Sequence, residues 1–237
     1  MDTLFLREKM LLGQTALLKI ASAHVIVFGL GGVGSWAAEA LVRSGIGEIT
    51  LVDHDTISES NINRQLIALH STLGMYKADA LSLRLKDINP NCRINIRNEM
   101  YMPSSRESFF NTSYTYIIDA IDTVTAKLDL IETAINRNIP IISAMGTGNK
   151  LDATKLEVCD ISKTYNCPLA KVMRKELRAR GISHHRVVFS PEEKLYAEQT
   201  EAPPEGRRSI PGSVVWVPAT AGLILAGEVI KSIAEGQ

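Results

Sequence analysis

The first fifty residues alternate between helical and extended patterns of apolar positions. Residues 7–20 mix apolar positions such as Leu12 and Ile20 with charged ones, which predicts an amphipathic helix. The run His24-Val-Ile-Val-Phe28 is apolar almost throughout, which is typical of a parallel strand buried on both faces. A glycine-rich turn, a helix over residues 35–44 and a strand over residues 48–53 follow. This order predicts one βαβ unit.

The alternation of strands and helices continues along the chain. Up to residue 146 the pattern predicts helices over 77–88 and 125–138 and strands over 93–97, 114–119 and 139–143. Beyond it the pattern predicts strands over 155–159, 186–189 and 213–217 and helices over 168–180 and 219–233. We therefore expect an α/β fold of the Rossmann-like, doubly wound class, with a mainly parallel sheet, helices on both faces and extra C-terminal strands and helices.

We expect one domain over residues 1–237. Its first part, 1–146, is predicted to be a nucleotide-binding half, and 147–237 is predicted to be a substrate and dimerisation half. The stretch 190–211 contains four prolines and many charged residues, which predicts a mobile loop.

Composition and charge disfavour several classes of protein. The 26 Lys and Arg residues balance the 26 Asp and Glu residues, so bulk charge does not favour nucleic acid, although a local basic patch can. The three cysteines form no Cys-x-x-Cys pair, so neither a disulfide framework nor a structural zinc is expected. The first residues lack the apolar core of a signal peptide, and we expect a cytoplasmic protein. Residues 214–230 are apolar but interrupted by proline, glycine and glutamate, which favours a buried helix over a membrane span.

A glycine-rich turn, Gly29-Leu-Gly-Gly-Val-Gly34, lies between the first strand and its helix. Glycines let the backbone approach a phosphate, and the free N–H groups of a helix start can bind it. Asp53 ends the next strand, where a carboxylate can bind ribose hydroxyls. The pattern predicts a nucleotide site that includes Gly29, Gly31, Gly32, Gly34 and Asp53, without choosing between NAD, FAD and ATP.

Three charged residues farther along the chain favour ATP. Arg64 and Lys77 have no use beside a redox dinucleotide, but they can offset the negative charge that grows when the α-phosphate of ATP is attacked. Asp122 follows a strand, where its carboxylate can bind Mg²⁺. We therefore expect ATP and Mg²⁺ as cofactors.

These residues, taken with Asn61 and Gln65, resemble the adenylating domain of the ubiquitin-activating-enzyme superfamily. The resemblance implies that Asp53 binds the ribose, that Asn61, Arg64 and Lys77 hold the phosphates, and that Asp122 binds Mg²⁺. Gln65, Asp55 and Asp119 are counted with this ATP site, although Asp119 can equally be a strand-end cap.

The resemblance also implies a homodimer, in which an arginine of the N-terminal helix acts in the partner's site. Arg7 lies at about that position and is counted as catalytic with Arg64, Lys77 and Asp122; the alternative is a solvated surface arginine. The small residues of the last helix, such as Ala221 and Gly222, are a further hint of dimerisation.

Residues 163–170 and 211–221 resemble one branch of this superfamily, the tRNA threonylcarbamoyladenosine dehydratases, and the resemblance covers about residues 7–233. It implies a tRNA substrate whose threonyl carboxylate is adenylated by ATP, after which a nucleophile of the same side chain closes a ring and releases AMP. The alternative is an adenylyltransferase that activates the C-terminus of a ubiquitin-like sulfur-carrier protein, which the missing Cys-x-x-Cys pairs disfavour. A sulfur-transfer protein stays open as a partner. A non-catalytic nucleotide-binding module and an NAD-dependent oxidoreductase are disfavoured by Arg64, Lys77 and Asp122.

A basic segment lies in the second half of the chain. Residues 163–186 carry an excess of six positive charges. With the family in mind, this excess predicts a tRNA-binding surface, whereas a solvated helix face is the alternative. The candidate contacts are Lys163, Lys171, Arg174, Lys175 and Arg178.

The cysteines and a histidine pair are assigned separately. Cys167 precedes a proline at a predicted helix start, a position that can make a thiol reactive, so it is a possible nucleophile. Cys92 and Cys159 are interpreted as buried, inert thiols. His184 and His185 are interpreted as surface or RNA-contacting residues, because no third metal ligand is evident.

Overall fold

The computed structural model describes residues 3–195 and 210–236. In this part of the chain one sheet contains β1 (His24–Phe28), β2 (Glu48–Val52), β3 (Arg93–Arg97), β4 (Tyr116–Asp119), β5 (Ile141–Ala144), β6 (Glu157–Asp160) and β7 (Arg186–Phe189). The α-helices are α1 (Leu6–Ser22), α2 (Gly34–Arg43), α3 (Lys77–Ile88), α4 (Arg106–Phe109), α5 (Val124–Asn136), α6 (Pro168–Ala179) and α7 (Trp216–Glu235).

The strands are ordered β3-β2-β1-β4-β5-β7-β6 in the sheet. Every pair of neighbours is parallel except β6 and β7, which are antiparallel. The predicted doubly wound, mainly parallel α/β fold is confirmed. Strands β6 and β7, which come from the predicted second half of the chain, extend the same sheet.

The side chains of β1 show why its sequence is apolar without alternation. Val25 and Val27 belong to the core on the side of α1, α2, α3 and α7. Ile26 and Phe28 belong to the core on the opposite side, which α5 and α6 cover. Because helices cover both faces of the sheet, successive residues of the strand are all buried.

The chain turns in opposite directions on the two sides of β1, which pairs with both β2 and β4. In doubly wound sheets, such a switch point leaves a crevice at the carboxyl ends of the strands. Gly29 follows β1 with a φ of +84°, and a Cβ atom there would lie 2.6 Å from the carbonyl oxygen of Ala120. Glycine is therefore required where the loops after β1 and β4 touch.

The strand predicted over residues 213–217 is wrong, because Ser213–Val215 belong to no strand and α7 begins at Trp216. The side chain of Asn63 donates a hydrogen bond to the Ser213 carbonyl (3.0 Å). The Gly212 N–H donates to Asn149 Oδ1 (2.7 Å). Of the predicted mobile loop over 190–211, residues 196–209 lie outside the described residues.

Helix α7 is long and apolar enough to cross a membrane. An 18-residue stretch of it has a mean hydropathy of 1.4, but 56% of this stretch is buried in the protein. A Cβ atom on Gly222 would lie 2.3 Å from the carbonyl oxygen of Val33. The small residues of α7 therefore allow close packing against the start of α2 within the same chain. This contact within the chain accounts for Gly222, and Ala221 is likewise buried, so these two residues give no separate sign of dimerisation.

Candidate nucleotide-binding site

A cavity of about 710 Å³ opens at the carboxyl ends of β1, β2, β4 and β5. The fold brings ten of the predicted ATP-site residues to its wall, although they are spread over more than ninety positions of the chain. They are Gly29, Gly31, Gly32, Asp53, Asp55, Asn61, Arg64, Gln65, Lys77 and Asp122.

Asp53 connects the end of β2 with the glycine turn. Its Oδ2 accepts a hydrogen bond from the Leu30 N–H (2.7 Å), and its Oδ1 accepts one from the Asp55 N–H (2.9 Å). The side chain is nearly buried, with an exposed fraction of 9% for the residue. Asp53 therefore holds the turn in place and presents a carboxylate edge to the cavity.

Two basic side chains face this cavity from different elements. Lys77, the first residue of α3, is buried and places its Nζ 2.6 Å from Asp55 Oδ2 and 3.9 Å from Asp53 Oδ1. Arg64 is half-buried, and its guanidinium donates to the Ser60 carbonyl at 2.8 Å. Arg64 forms no ion pair with any described residue, and burial lowers its pKa from the ordinary value.

A half-buried guanidinium without a carboxylate partner is costly unless an anion binds there. Gln65 gives a second sign of a missing ligand. Its Oε1 is buried and has no hydrogen-bond donor among the described residues. Native proteins rarely leave such an atom unsatisfied, so Gln65 indicates a polar ligand that donates a hydrogen bond, whereas Arg64 indicates an anionic group.

Another part of the cavity wall is apolar. Phe28, Val52, Tyr101 and Ala126 line it, and the rings of Phe28 and Tyr101 meet edge to face at 5.1 Å. Tyr101 donates its hydroxyl to Asp129 Oδ2 (2.7 Å), and burial raises its pKa. Such a wall is suited to a purine base. Sequence reasoning missed Tyr101, because nothing in its surroundings marks it as a site residue.

The two acids after β4 are separated by the structure. Asp122 is exposed and lines the cavity. Asp119 is completely buried and does not line it, because its carboxylate is bonded to Lys127 Nζ (2.7 Å) and Ser143 Oγ (2.6 Å). The expectation that Asp119 binds ATP directly is therefore wrong, and its alternative as a strand-end residue is correct. Gly34 also lies outside the cavity wall.

The second half of the chain completes the cavity with residues 146–150 and 167–169. Cys167 is 4% exposed and caps α6, accepting the Ala170 N–H on its Sγ at 3.5 Å. Lys150 is a buried lining residue that the sequence analysis missed, and burial lowers its pKa. Its ammonium donates to the carbonyls of Ser190 and Glu192. The signal for it was a second glycine-containing turn after a strand, Gly146-Thr-Gly-Asn-Lys150.

The remaining predicted residues lie elsewhere. Lys171, Lys175 and Arg178 are exposed on one side of α6, as is Lys163 just before it. Arg174 is half-buried and donates to the Thr164 carbonyl (2.7 Å), so unlike the other four residues it is held against its own chain. Arg7 is exposed on α1 and does not line the cavity of its own chain.

The burial of His185 and of Cys159 differs from the prediction. His185 is buried and not a surface residue, and its ring is hydrogen-bonded to Ser143 inside the protein. Its Nε2 lies 2.7 Å from Ser143 Oγ, and burial together with the charge of Lys127 lowers its pKa to about 3. Cys159 is half-buried on the edge strand β6, whereas Cys92 is buried as expected.

Comparison with known proteins agrees with this geometry. Residues 5–236 match the ThiF family, and this chain belongs to that family. A tRNA threonylcarbamoyladenosine dehydratase of Bacillus subtilis is 41% identical over 97% of this chain and 94% of its own length. The predicted membership of this branch of the superfamily is thereby confirmed.

Solved structures of the Escherichia coli tRNA N6-threonylcarbamoyladenosine dehydratase, TcdA, are similar over nearly the whole chain. The complex with ATP has a TM-score of 0.88 and 35% identity, covering 98% of this chain and 94% of the other. The complex with AMP has a TM-score of 0.87 and 36% identity, covering 96% and 92%.

Proposed function

We propose that this chain is an ATP-dependent tRNA threonylcarbamoyladenosine dehydratase. The observation that carries the proposal is the pairing of a glycine turn with Arg64, a half-buried cation that no described carboxylate neutralises. A triphosphate supplies the missing negative charge. The substrate class comes from the relatives, which match the chain over almost its full length.

The first step is attack of the threonyl carboxylate on the α-phosphorus of ATP. A P–O bond forms to the carboxylate, and the bond to pyrophosphate breaks. Arg64 and Lys77 stabilise the charge that develops on the phosphoryl oxygens, since they are held at the cavity wall before ATP binds.

The second step is intramolecular. A nucleophile of the same nucleoside side chain attacks the acyl carbon, AMP leaves, and a ring closes with net loss of water. The protein contributes positioning, so no covalent protein intermediate is required. The 146–150 turn and the start of α6 line the part of the cavity beyond the glycine turn, where the nucleoside side chain would enter.

Magnesium fits the donor set of the cavity. Mg²⁺ in nucleotide sites is held by one or two carboxylates and by substrate phosphates. Asp122 offers an exposed carboxylate at the cavity wall. When bound, the ion would neutralise phosphate charge and assist departure of pyrophosphate.

The tRNA would bind along α6. Lys171, Lys175 and Arg178 are exposed and follow each other at intervals of four and three residues, so they form one stripe. None of them is paired with a described acid, so the stripe is free to contact phosphates. Lys163 extends it toward the turn that leads to Cys167 and the cavity.

A homodimer would bring Arg7 to a second site. This helix and the turn before it expose the apolar side chains of Leu4, Leu6, Met10 and Leu11, a patch that another copy of the chain could cover. Gly13, with a φ of +80°, interrupts α1 just after this patch. Mixing inactive Arg7→Ala and Asp122→Ala proteins should restore activity if Arg7 acts across the dimer, and no recovery would count against it.

The alternative, activation of a ubiquitin-like sulfur carrier, has less support, because the chain lacks Cys-x-x-Cys pairs and Cys167 is buried. A sulfur-transfer partner has no support beyond the superfamily. A cytoplasmic location agrees with a tRNA substrate.

One experiment tests the proposal. The protein is incubated with ATP, MgCl₂ and tRNA that bears threonylcarbamoyladenosine, and the digested nucleosides are weighed by mass spectrometry. A nucleoside lighter by one water, with equimolar AMP, is expected from wild type and not from Lys77→Ala. Unchanged tRNA, with AMP released only when a carrier protein is added, would support the alternative.

A further inference from the structure

A chain of four buried polar side chains lies behind the cavity wall. Lys127 Nζ is 2.7 Å from Asp119 Oδ2, Ser143 Oγ is 2.6 Å from the same oxygen, and His185 Nε2 is 2.7 Å from Ser143 Oγ. Lys127, Asp119 and Ser143 have no exposed surface, and His185 has 6%. None of the four lines the cavity.

The hydrogen bonds of this chain have a defined direction. A carboxylate offers only acceptors, so the Ser143 hydroxyl donates to Asp119. The Ser143 hydroxyl oxygen must then accept a hydrogen bond from His185, which requires that the His185 proton is on Nε2. His185 is neutral because burial and the charge of Lys127 oppose its protonation. Asp119 is thus held from two sides by donors.

The Lys127–Asp119 ion pair closes the loop that carries Asp122. Asp119 ends β4, Lys127 lies in the first turn of α5, and the loop of residues 120–123 connects the strand to the helix. Asp119 Oδ1 also accepts the Ile121 N–H at 3.1 Å, which shapes the loop directly before Asp122. The same loop contacts the glycine turn, since Ala120 O would lie only 2.6 Å from a Cβ atom on Gly29.

A completely buried ion pair is an expensive way to gain stability, because two apolar side chains of similar size often stabilise a core equally well. Orientation of a functional group is a reason to keep it, as outer-shell residues orient metal ligands in known sites. We propose that Lys127 and Asp119, supported by Ser143 and His185, are positioning residues that hold the Asp122 carboxylate for magnesium-bound ATP. This inference rests on the role of Asp122 in the proposed function.

The test is ATP binding by calorimetry in Mg²⁺ and in EDTA, without tRNA. The double variant Asp119→Asn/Lys127→Met removes both charges at nearly constant volume. We expect its affinity for ATP in Mg²⁺ to be about 10- to 100-fold lower than that of wild type. Its affinity for ATP in EDTA should equal that of wild type. The matched control is Glu39→Gln/Arg84→Met, which neutralises an ion pair between α2 and α3, outside the cavity, and should bind as wild type does.

Two results would overturn the inference: a full Mg²⁺ effect in the double variant, or an equal loss of affinity with and without Mg²⁺. If the double variant does not fold, Ser143→Ala is measured instead and should show a smaller loss of the same kind, whereas a full Mg²⁺ effect there would also overturn it. Asp122→Ala separates the two proposals. Should Asp122→Ala keep the Mg²⁺ effect, the metal role of Asp122 fails together with the inference. Should Asp122→Ala lose the effect while the double variant keeps it, only the inference fails.

Discussion

A Cβ atom on Gly34 would lie 1.8 Å from the carbonyl oxygen of Gly29. The first and last glycines of the turn therefore touch backbone to backbone, and no side chain fits between them. Gly31 differs, because its added Cβ would meet only Gln65 Nε2, at 3.9 Å. Gly34 is therefore needed for the turn to close, whereas Gly31 leaves open space beside the cavity.

The variants Gly34→Ala and Gly31→Ala should consequently fail in different ways. Gly34→Ala should be unstable, since the backbone must move by more than an ångström to admit the methyl group. Gly31→Ala should unfold at the wild-type temperature but bind ATP more weakly, because the methyl group occupies space that the phosphates need. Thermal unfolding and ATP titration measure the two effects. Equal ATP affinity in Gly31→Ala and wild type would contradict this account.

Replacement of Arg64 should reduce catalysis without loss of stability. We expect Arg64→Gln to lower kcat by about 10²- to 10³-fold, the usual effect of removing one charge-stabilising donor. Its free energy of unfolding should change little, because the cost of half-burying a guanidinium without a carboxylate partner offsets its hydrogen bonds to Ser60 and Asn63. Arg64→Lys should restore little, since a lysine lacks the planar guanidinium. The exposed Arg93, changed to Gln, is the control; a wild-type rate in Arg64→Gln would refute the assignment.

His185 should make the protein less stable in mild acid. Its pKa falls from 6.5 to about 3 on folding, so below pH 6.5 the unfolded chain binds a proton that the folded protein excludes. Stability is then lost as the pH falls from about 6.5 toward 3, by about 2 kcal/mol between pH 7 and pH 5. Urea unfolding at these two pH values should show a smaller loss in His185→Gln, while the exposed His184→Gln should behave as wild type. The same loss in all three proteins would exclude His185 as its source.

The exposed cations of α6 and the half-buried Arg174 should respond differently to truncation. Lys175→Ala should raise KM for tRNA, leave KM for ATP unchanged and reduce the salt dependence of tRNA binding by about one ion. Arg174→Ala should instead lower the unfolding temperature, because its guanidinium bonds to Thr164. Filter binding of tRNA at several salt concentrations separates the two. Unchanged tRNA binding in Lys171→Ala/Lys175→Ala/Arg178→Ala would remove α6 as the tRNA surface.

Cys167 should be dispensable for the reaction. It is buried and its Sγ accepts the Ala170 N–H, which is a capping role. Cys167→Ser keeps an acceptor and should be as active as wild type, and Cys167→Ala should lose at most about 1 kcal/mol of stability. Loss of activity in both variants, with the fold intact, would reinstate a chemical role for the thiol.

The sequence alone predicted the class of fold and most of the nucleotide site, for local reasons. A glycine turn between a strand and a helix, and an acid at the end of the next strand, are determined by neighbouring residues and by the regular βαβ geometry. Parallel strands end at the same edge of the sheet, so Asp53 and Asp122 were expected to converge once the strands were assigned. The long loop after β2 and the start of α3 bring Arg64 and Lys77 to the same edge. The error over residues 213–217 arose because β-branched residues favour strands in general, whereas here the Ser213 carbonyl accepts from Asn63 and α7 already begins at Trp216.

Burial and pairing were decided by the tertiary structure. Sequence could not show that Asp119 turns into the core while Asp122 faces the cavity, because this depends on the buried Lys127, eight residues along the chain. Nor could it show that His185 is buried or that Arg174 is bonded to Thr164. Local pattern specifies where a residue lies along its strand or helix, but the desolvation and charge of a side chain depend on neighbours that only the packed fold brings together.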